Sequence, residues 1–153
     1  MTSFHFYEAS NNDLEDIFQI LYEFEKDAPA LGYPHINRAK MKQTLMTFLQ
    51  KGKIMLIKDL DENKIVGITI LTVQEYSWSR EQLLAVQTIY ILKEYRSLNL
   101  FNKTMDIIKK QAKGKDIHLA ISTKLLADKL LDRYGFEKMG GLWRYSDVWP
   151  SWR

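Results

Sequence analysis

The chain has 153 residues, 46% of them hydrophobic and 27% charged, with a formal net charge of +3; this is the size of one domain with its own core, too small for two ordinary ones. No stretch approaches the roughly 18 apolar residues of a membrane span, and the lack of cysteine excludes disulfides, thiolate nucleophiles and cysteine-ligated zinc. The mild positive charge suits an anionic cofactor or a nucleic acid equally.

The start, "MTSFHFYEAS", has neither a basic leader nor an apolar run before small residues, so a cytoplasmic protein is expected. "FHFYEAS" alternates in the manner of a half-buried strand, and "NNDLEDIFQILYEFEKDAP" then changes period, with Leu14, Ile17, Phe18, Leu21 and Phe24 at helical spacing. Asn12 with Glu15 resembles a capping box, and Pro29 follows the end. A second helix carries Met41, Leu45, Phe48 and Leu49 on one face, with Gly52 as its C-terminal cap. Two β-rich runs around Asp61, Glu62 and Asn63 predict a hairpin, and after the polar "SWSREQL" the run "LAVQTIYIL" predicts another strand.

"LNLFNKTMDIIKKQAKGK" returns to helical period, with Phe101, Met105, Ile108 and Ala112 on one stripe and Gly114 as the stop. A short strand "DIHLAIS", a short helix "TKLLADKLLDRYG" and a closing strand in "FEKMGGLWRYSDVW" complete the order β-α-α-β-β-β-α-β-α-β. That order describes a single α/β domain over residues 1–153, with a mixed central sheet flanked by helices. His5, His35 and His118 have no metal-ligand spacing, so no metal site is expected.

This order, with "IYILKEYRSLNLFNKTMDIIKK" and "LADKLLDRYGFEKMGGLWRY" within it, resembles the GNAT family of acetyl-coenzyme A-dependent N-acetyltransferases over nearly the whole chain. "EYSWS", "KEYR", "HLAISTK" and "RYGFEKMG" look most like its small phage-encoded members, which would place the protein in a host cytoplasm. The resemblance implies a GNAT-like fold in which the fourth strand diverges from the fifth. Pantetheine would pair with the exposed backbone of the fourth strand, and a turn of pattern Arg/Gln-x-x-Gly-x-Gly/Ala would offer amides and a helix N-terminus to the pyrophosphate.

Carried over position by position, the cofactor-binding stretch covers Tyr90, Ile91 and Leu92 on the strand and Arg96, Ser97, Leu98, Asn99, Leu100, Phe101 and Asn102 in the turn and helix start. Ile91 and Arg96 match the family pattern, whereas Asn99 and Phe101 stand at the two glycine positions. Asparagine tolerates left-handed geometry better than other non-glycine residues. The ring of Phe101 either turns into the core, leaving the amides free, or fills the phosphate site. Near the end, Ala127, Gly135 and Phe136 match the family's closing motif, while Lys124 and Leu131 replace its asparagine and tyrosine. Tyr134 is then the candidate general acid, or a core aromatic.

Acetyl transfer to an amine also needs a base. Glu75, ending the apolar strand "ITILTVQEY" beside a polar loop, is the first candidate; Glu81, His35 and Ser122 are weaker ones. Trp78 either anchors its loop on the core or lines an acceptor pocket. Trp143, Trp149 and Trp152 suggest a self-association surface, hence a homodimer. Lys103, Lys109, Lys110, Lys113 and Lys115 could approach the phosphorylated ribose of coenzyme A or a nucleic-acid backbone, but such a run reads first as a solvated helix face. The expected function is acetyl transfer from acetyl-CoA to an unknown amine, a small molecule or a protein lysine or N-terminus. The alternative is an inactive GNAT-fold binding or structural protein with a degenerate pyrophosphate loop.

Overall fold

A computed structural model of the chain describes residues 3–27, 37–119, 128–140 and 145. Strand β1 (Phe4–Glu8) leads through a short 3-10 turn into α1 (Leu14–Asp27). Helix α2 (Arg38–Lys51) is followed by β2 (Lys53–Asp59), β3 (Lys64–Glu75) and β4 (Gln82–Ile91); then come α3 (Leu98–Ala112), β5 (Asp116–Leu119) and α4 (Asp128–Arg133). The strands form one mixed sheet in the order β1-β2-β3-β4-β5, antiparallel except for the parallel β4–β5 pair.

Apolar periodicity sorts the core onto the two faces of that sheet. On one face, Ile17 and Leu21 of α1 and Leu45 of α2 pack over Leu56, Ile68 and Ile70. On the other, Met105, Ile108 and Ala112, the predicted stripe of α3, cover Leu71, Leu84 and Val86. Helix α2 ends at Gly52 because its backbone runs so close to β3 that a Cβ there would sit 2.6 Å from the carbonyl oxygen of Leu71.

Two expectations change. The capping box at the first helix start is made by Ser10 and Asp13 rather than Asn12 and Glu15: Asp13 accepts from the Ser10 N–H at 2.8 Å, and a 3-10 turn precedes the α-helix. Residues 136–140 are not strand, and most of the remaining closing segment lies outside the described residues.

The β2–β3 hairpin is tied to the segment that follows β4. The buried Asp59 carboxylate accepts from the turn amides of Asp61 at 2.9 Å and Glu62 at 3.2 Å, and from the Tyr95 hydroxyl at 2.7 Å. The Tyr95 hydrogen bond is the main reason that Asp59 lies below the usual carboxylate range; the two turn amides add to it and burial opposes it. The same bond, reinforced by burial and the carboxylate charge, pushes the Tyr95 phenol up to about 12. A depressed carboxylate pKa contributes stability that is complete above the ordinary value near 3.9 and is lost as pH falls through the folded value. Tyr95→Phe is therefore expected to melt at a lower temperature than wild type by a constant margin above about pH 5. The margin should narrow on acidification toward pH 3, and one that stayed constant throughout would remove Asp59 as its source.

Candidate functional site

Strand β4 pairs with a strand on each side. It runs against β3 from Glu75↔Gln82 to Gly67↔Ile91, with Gln87 bulged out between the Thr88↔Ile70 and Val86↔Leu71 pairs. Among the described residues it pairs with β5 only from Leu83↔Asp116 to Val86↔Leu119. The Leu92 N–H donates to the Val66 carbonyl at 2.9 Å. Backbone groups alternate sides along a strand, so those of Thr88 and Tyr90 face β3 while those of Ile89 and Ile91 face the side on which β5 lies. The Ile91 carbonyl there accepts from Arg96 Nε at 2.8 Å. This bond folds the arginine back onto the strand end and fixes the turn between β4 and α3.

The turn enters α3 through Ser97, whose extended backbone and side chain make it the N-cap: Ser97 Oγ accepts from the Leu100 N–H at 3.1 Å, and the Ser97 carbonyl from the Phe101 N–H at 3.1 Å. The N–H groups of Ser97, Leu98 and Asn99 donate to no described protein group, and all three residues are exposed. Three amides without a described partner thus stand at the positive end of a 15-residue helix, where N–H groups and the helix dipole favour negative charge. The Phe101 ring lies elsewhere. It packs in the α3-side cluster, 5.7 Å from the Tyr134 ring.

The ten predicted cofactor positions therefore divide. The N–H groups of Ser97, Leu98 and Asn99 have no partner among the described residues, the Ile91 backbone faces the β5 side of β4, and Arg96 positions the turn. The N–H groups of Leu92, Leu100 and Phe101 are consumed within the protein, and the buried Tyr90 ring packs on Phe24 at 5.3 Å, against α1. Asn102 accepts from the Tyr134 hydroxyl. Ile89, whose backbone faces the same edge as Ile91, was missed; the bulge that sets this parity leaves no mark in the sequence.

The two predicted catalytic residues are not brought together. Glu75 is an exposed terminal residue of β3 opposite Gln82, about 17 Å along β4 from the bulge at Gln87. Tyr134 sits against α3, with its hydroxyl on Asn102 and its carbonyl accepting from Lys109 Nζ at 2.9 Å. Trp78 neither anchors its loop nor lines a pocket, being 92% exposed. His35, Ser122, Lys124, Ala127, Trp143, Trp149 and Trp152 lie outside the described residues.

A cluster that sequence reasoning missed stands where β5 meets β4. The Tyr76 hydroxyl lies 3.1 Å from Asp116 Oδ2 and 3.2 Å from His118 Nε2. Burial, then the Asp116 hydrogen bond and charge, pushes the Tyr76 pKa up, so the phenol keeps its proton. Given to the carboxylate, that one proton leaves the phenol oxygen to accept from His118 Nε2–H, a pairing that assigns the lone pair to Nδ1 in the neutral ring. Ile117 and Leu119 point to the α3 cluster, so by alternation His118 shares the opposite face with Thr88. On that face a cleft of about 290 Å³ opens between α1, α2 and the sheet; Phe24, Met41, Leu45 and Phe48 wall it, and Ile70 and Thr88 form its floor.

No protein-family model and no curated protein sequence matches the chain. Solved structures do. A predicted acetyltransferase from Clostridium acetobutylicum, solved with acetyl-CoA, superposes with a TM-score of 0.75 at 14% identity, over 94% of this chain and 96% of its own. A GNAT family acetyltransferase from Staphylococcus aureus gives 0.61 at 19% identity, over 94% and 98%. An aminoglycoside antibiotic 6'-N-acetyltransferase from Acinetobacter baumannii gives 0.70 at 12% identity, over 97% and 100%. The chain has the GNAT acetyltransferase fold.

The cap on α3 can be tested directly. Ser97→Ala is expected to lower stability by about 1 kcal/mol, read as a shift of the urea midpoint, while Ser97→Asp retains most of it; an unchanged midpoint for the alanine variant would mean that the hydroxyl does not cap the helix.

Proposed function

We propose that this protein is an acyltransferase that moves an acetyl group from acetyl-CoA to an amine. The observation that carries the reading is the inward turn of Phe101, which leaves the amides of Ser97, Leu98 and Asn99 uncovered at the start of α3. The fold neighbours, one of them solved with acetyl-CoA, support the same reading. They lend none to the phage-encoded subgroup.

Acetyl-CoA supplies the activated thioester. The three turn amides and the α3 dipole would hold its pyrophosphate, and the edge amides of Ile89 and Ile91 its pantetheine arm. His118 is the better base than Glu75. Its strand partner Ala85 lies two residues before the bulge, about 7 Å of strand rise, a span for a relay of two waters at about 2.8 Å per hydrogen bond. Tyr76 and Asp116 orient the ring so that Nδ1 takes a proton from the acceptor ammonium. The amine lone pair then forms the amide bond as the thioester C–S bond breaks, and a second amine proton leaves on the thiol.

Calorimetry with acetyl-CoA tests the donor site: binding is expected, retained or improved in Asn99→Gly and lost in Asn99→Trp. No binding at high micromolar ligand would leave the non-catalytic GNAT-fold module as the reading. His118→Gln should lower amine-dependent release of CoA at least about 100-fold with unchanged affinity for acetyl-CoA; an undiminished rate would assign the base elsewhere.

A further inference from the structure

The cleft between α1 and α2 carries a chemical preference of its own. Its walls are hydrocarbon, thioether and aromatic ring, with Phe24 and Phe48 from different helices. Its polar lining is Asn37, Lys40, Thr44 and Thr88. Among the described lining residues none is acidic, and Lys40 is the one that ionises. A volume of about 290 Å³ corresponds to about ten water molecules of liquid, which holds a compact molecule of roughly ten to fifteen heavy atoms and no extended chain.

Burying a charge without a partner of opposite sign costs more than the apolar contacts of such a small site return. A molecule bearing several ammonium groups would need carboxylates to accept them, and here it meets Lys40 instead. An apolar amine has no such difficulty. Its body displaces water from the aromatic walls, and its single ammonium points to the floor, where the Thr88 side chain faces the cleft and the neighbouring Ile89 backbone faces the β5 side of the strand.

We infer that the acceptor is a small primary amine with an aromatic or branched apolar body and no second positive charge, seated in the cleft between α1 and α2. The inference rests on the acyltransferase reading above. It is separable from that reading because the cleft can be probed without the donor.

Two probe amines, 2-phenylethylamine and spermidine, decide between the classes. In calorimetry 2-phenylethylamine is expected to bind the full-length protein with a millimolar or lower Kd, with or without CoA, and Thr44→Trp, which fills the cleft from an exposed position on α2, should weaken binding at least tenfold. Thr47→Trp, on the same helix but outside the cleft, should leave it unchanged. With acetyl-CoA present, kcat/KM for 2-phenylethylamine should exceed that for spermidine at least tenfold. Because the chain has no cysteine, a thiol reagent reads only the CoA released. Lys40→Glu should narrow the preference about fivefold or more toward spermidine. Undetectable binding of 2-phenylethylamine, binding indifferent to Thr44→Trp, or a preference for spermidine would each overturn the inference. Failure of acetyl-CoA to bind while 2-phenylethylamine still occupies the cleft would instead refute the acyltransferase reading.

Discussion

The candidate site depends on the bulge in one strand. Backbone amides are obligatory hydrogen-bonding groups, and β3 secures one side of β4 along its whole length. The bulge at Gln87 directly follows Val86, the last residue of β4 that pairs with a described residue of β5. A bulge adds a residue and increases the local twist. It also shifts the alternation, which puts Thr88 on the α1 and α2 face and turns the Ile89 backbone to the β5 side of the strand. Without it every residue from 88 to 91 would exchange faces. The buried Tyr90 would then be forced from its seat against Phe24.

The absence of glycine after this strand becomes intelligible at the level of dihedral angles. Glycine serves such a turn in two ways, by adopting positive φ and by allowing close approach. The first is not needed here: among the described non-glycine residues only Asn63 and Lys113 have positive φ, both outside the turn. Ser97 enters the helix in an extended conformation that any residue can adopt, at φ −145° and ψ 156°. What remains is the space that a Cβ takes beside an anion. Phe101 resolves that for itself, since its position on the Met105 and Ile108 stripe directs the ring inward. Asn99 is left as the one substitution that any ligand must meet.

How much of this the sequence reveals follows from the range of each interaction. Period-3.6 and period-2 patterning is local, so the strands and helices through "DIHLAIS" could be read, as could the inward stripe of α3. The capping box was misplaced by two residues because Ser10 with Asp13 and Asn12 with Glu15 both satisfy the pattern, and the intervening 3-10 turn decided between them. Glu75 borders a loop in the sequence, and the register sets it opposite Gln82, five positions before the bulge at Gln87. The Tyr76, Asp116 and His118 cluster spans about forty positions of sequence, and only the parallel pairing of β4 with β5 assembles it. Asp59 with Tyr95 is a contact of the same long-range kind.

On the proposed reading, donor and acceptor would meet on adjacent residues of β4. Thr88 belongs to the floor of the cleft and the Ile89 backbone faces the β5 side of the strand, so no side chain would have to reach across the sheet for the two substrates to approach each other. The arrangement also divides the evolutionary constraint. The edge needs only backbone amides, a cap and a helix dipole, which most side chains at positions 97–99 permit. The cleft is built from the side chains of α1 and α2, where each substitution changes shape or charge. A chain can therefore diverge until no family model matches its sequence while retaining the backbone geometry that the proposed donor site needs, and on that reading its specificity would be written in the two helices that cover the other face of the sheet.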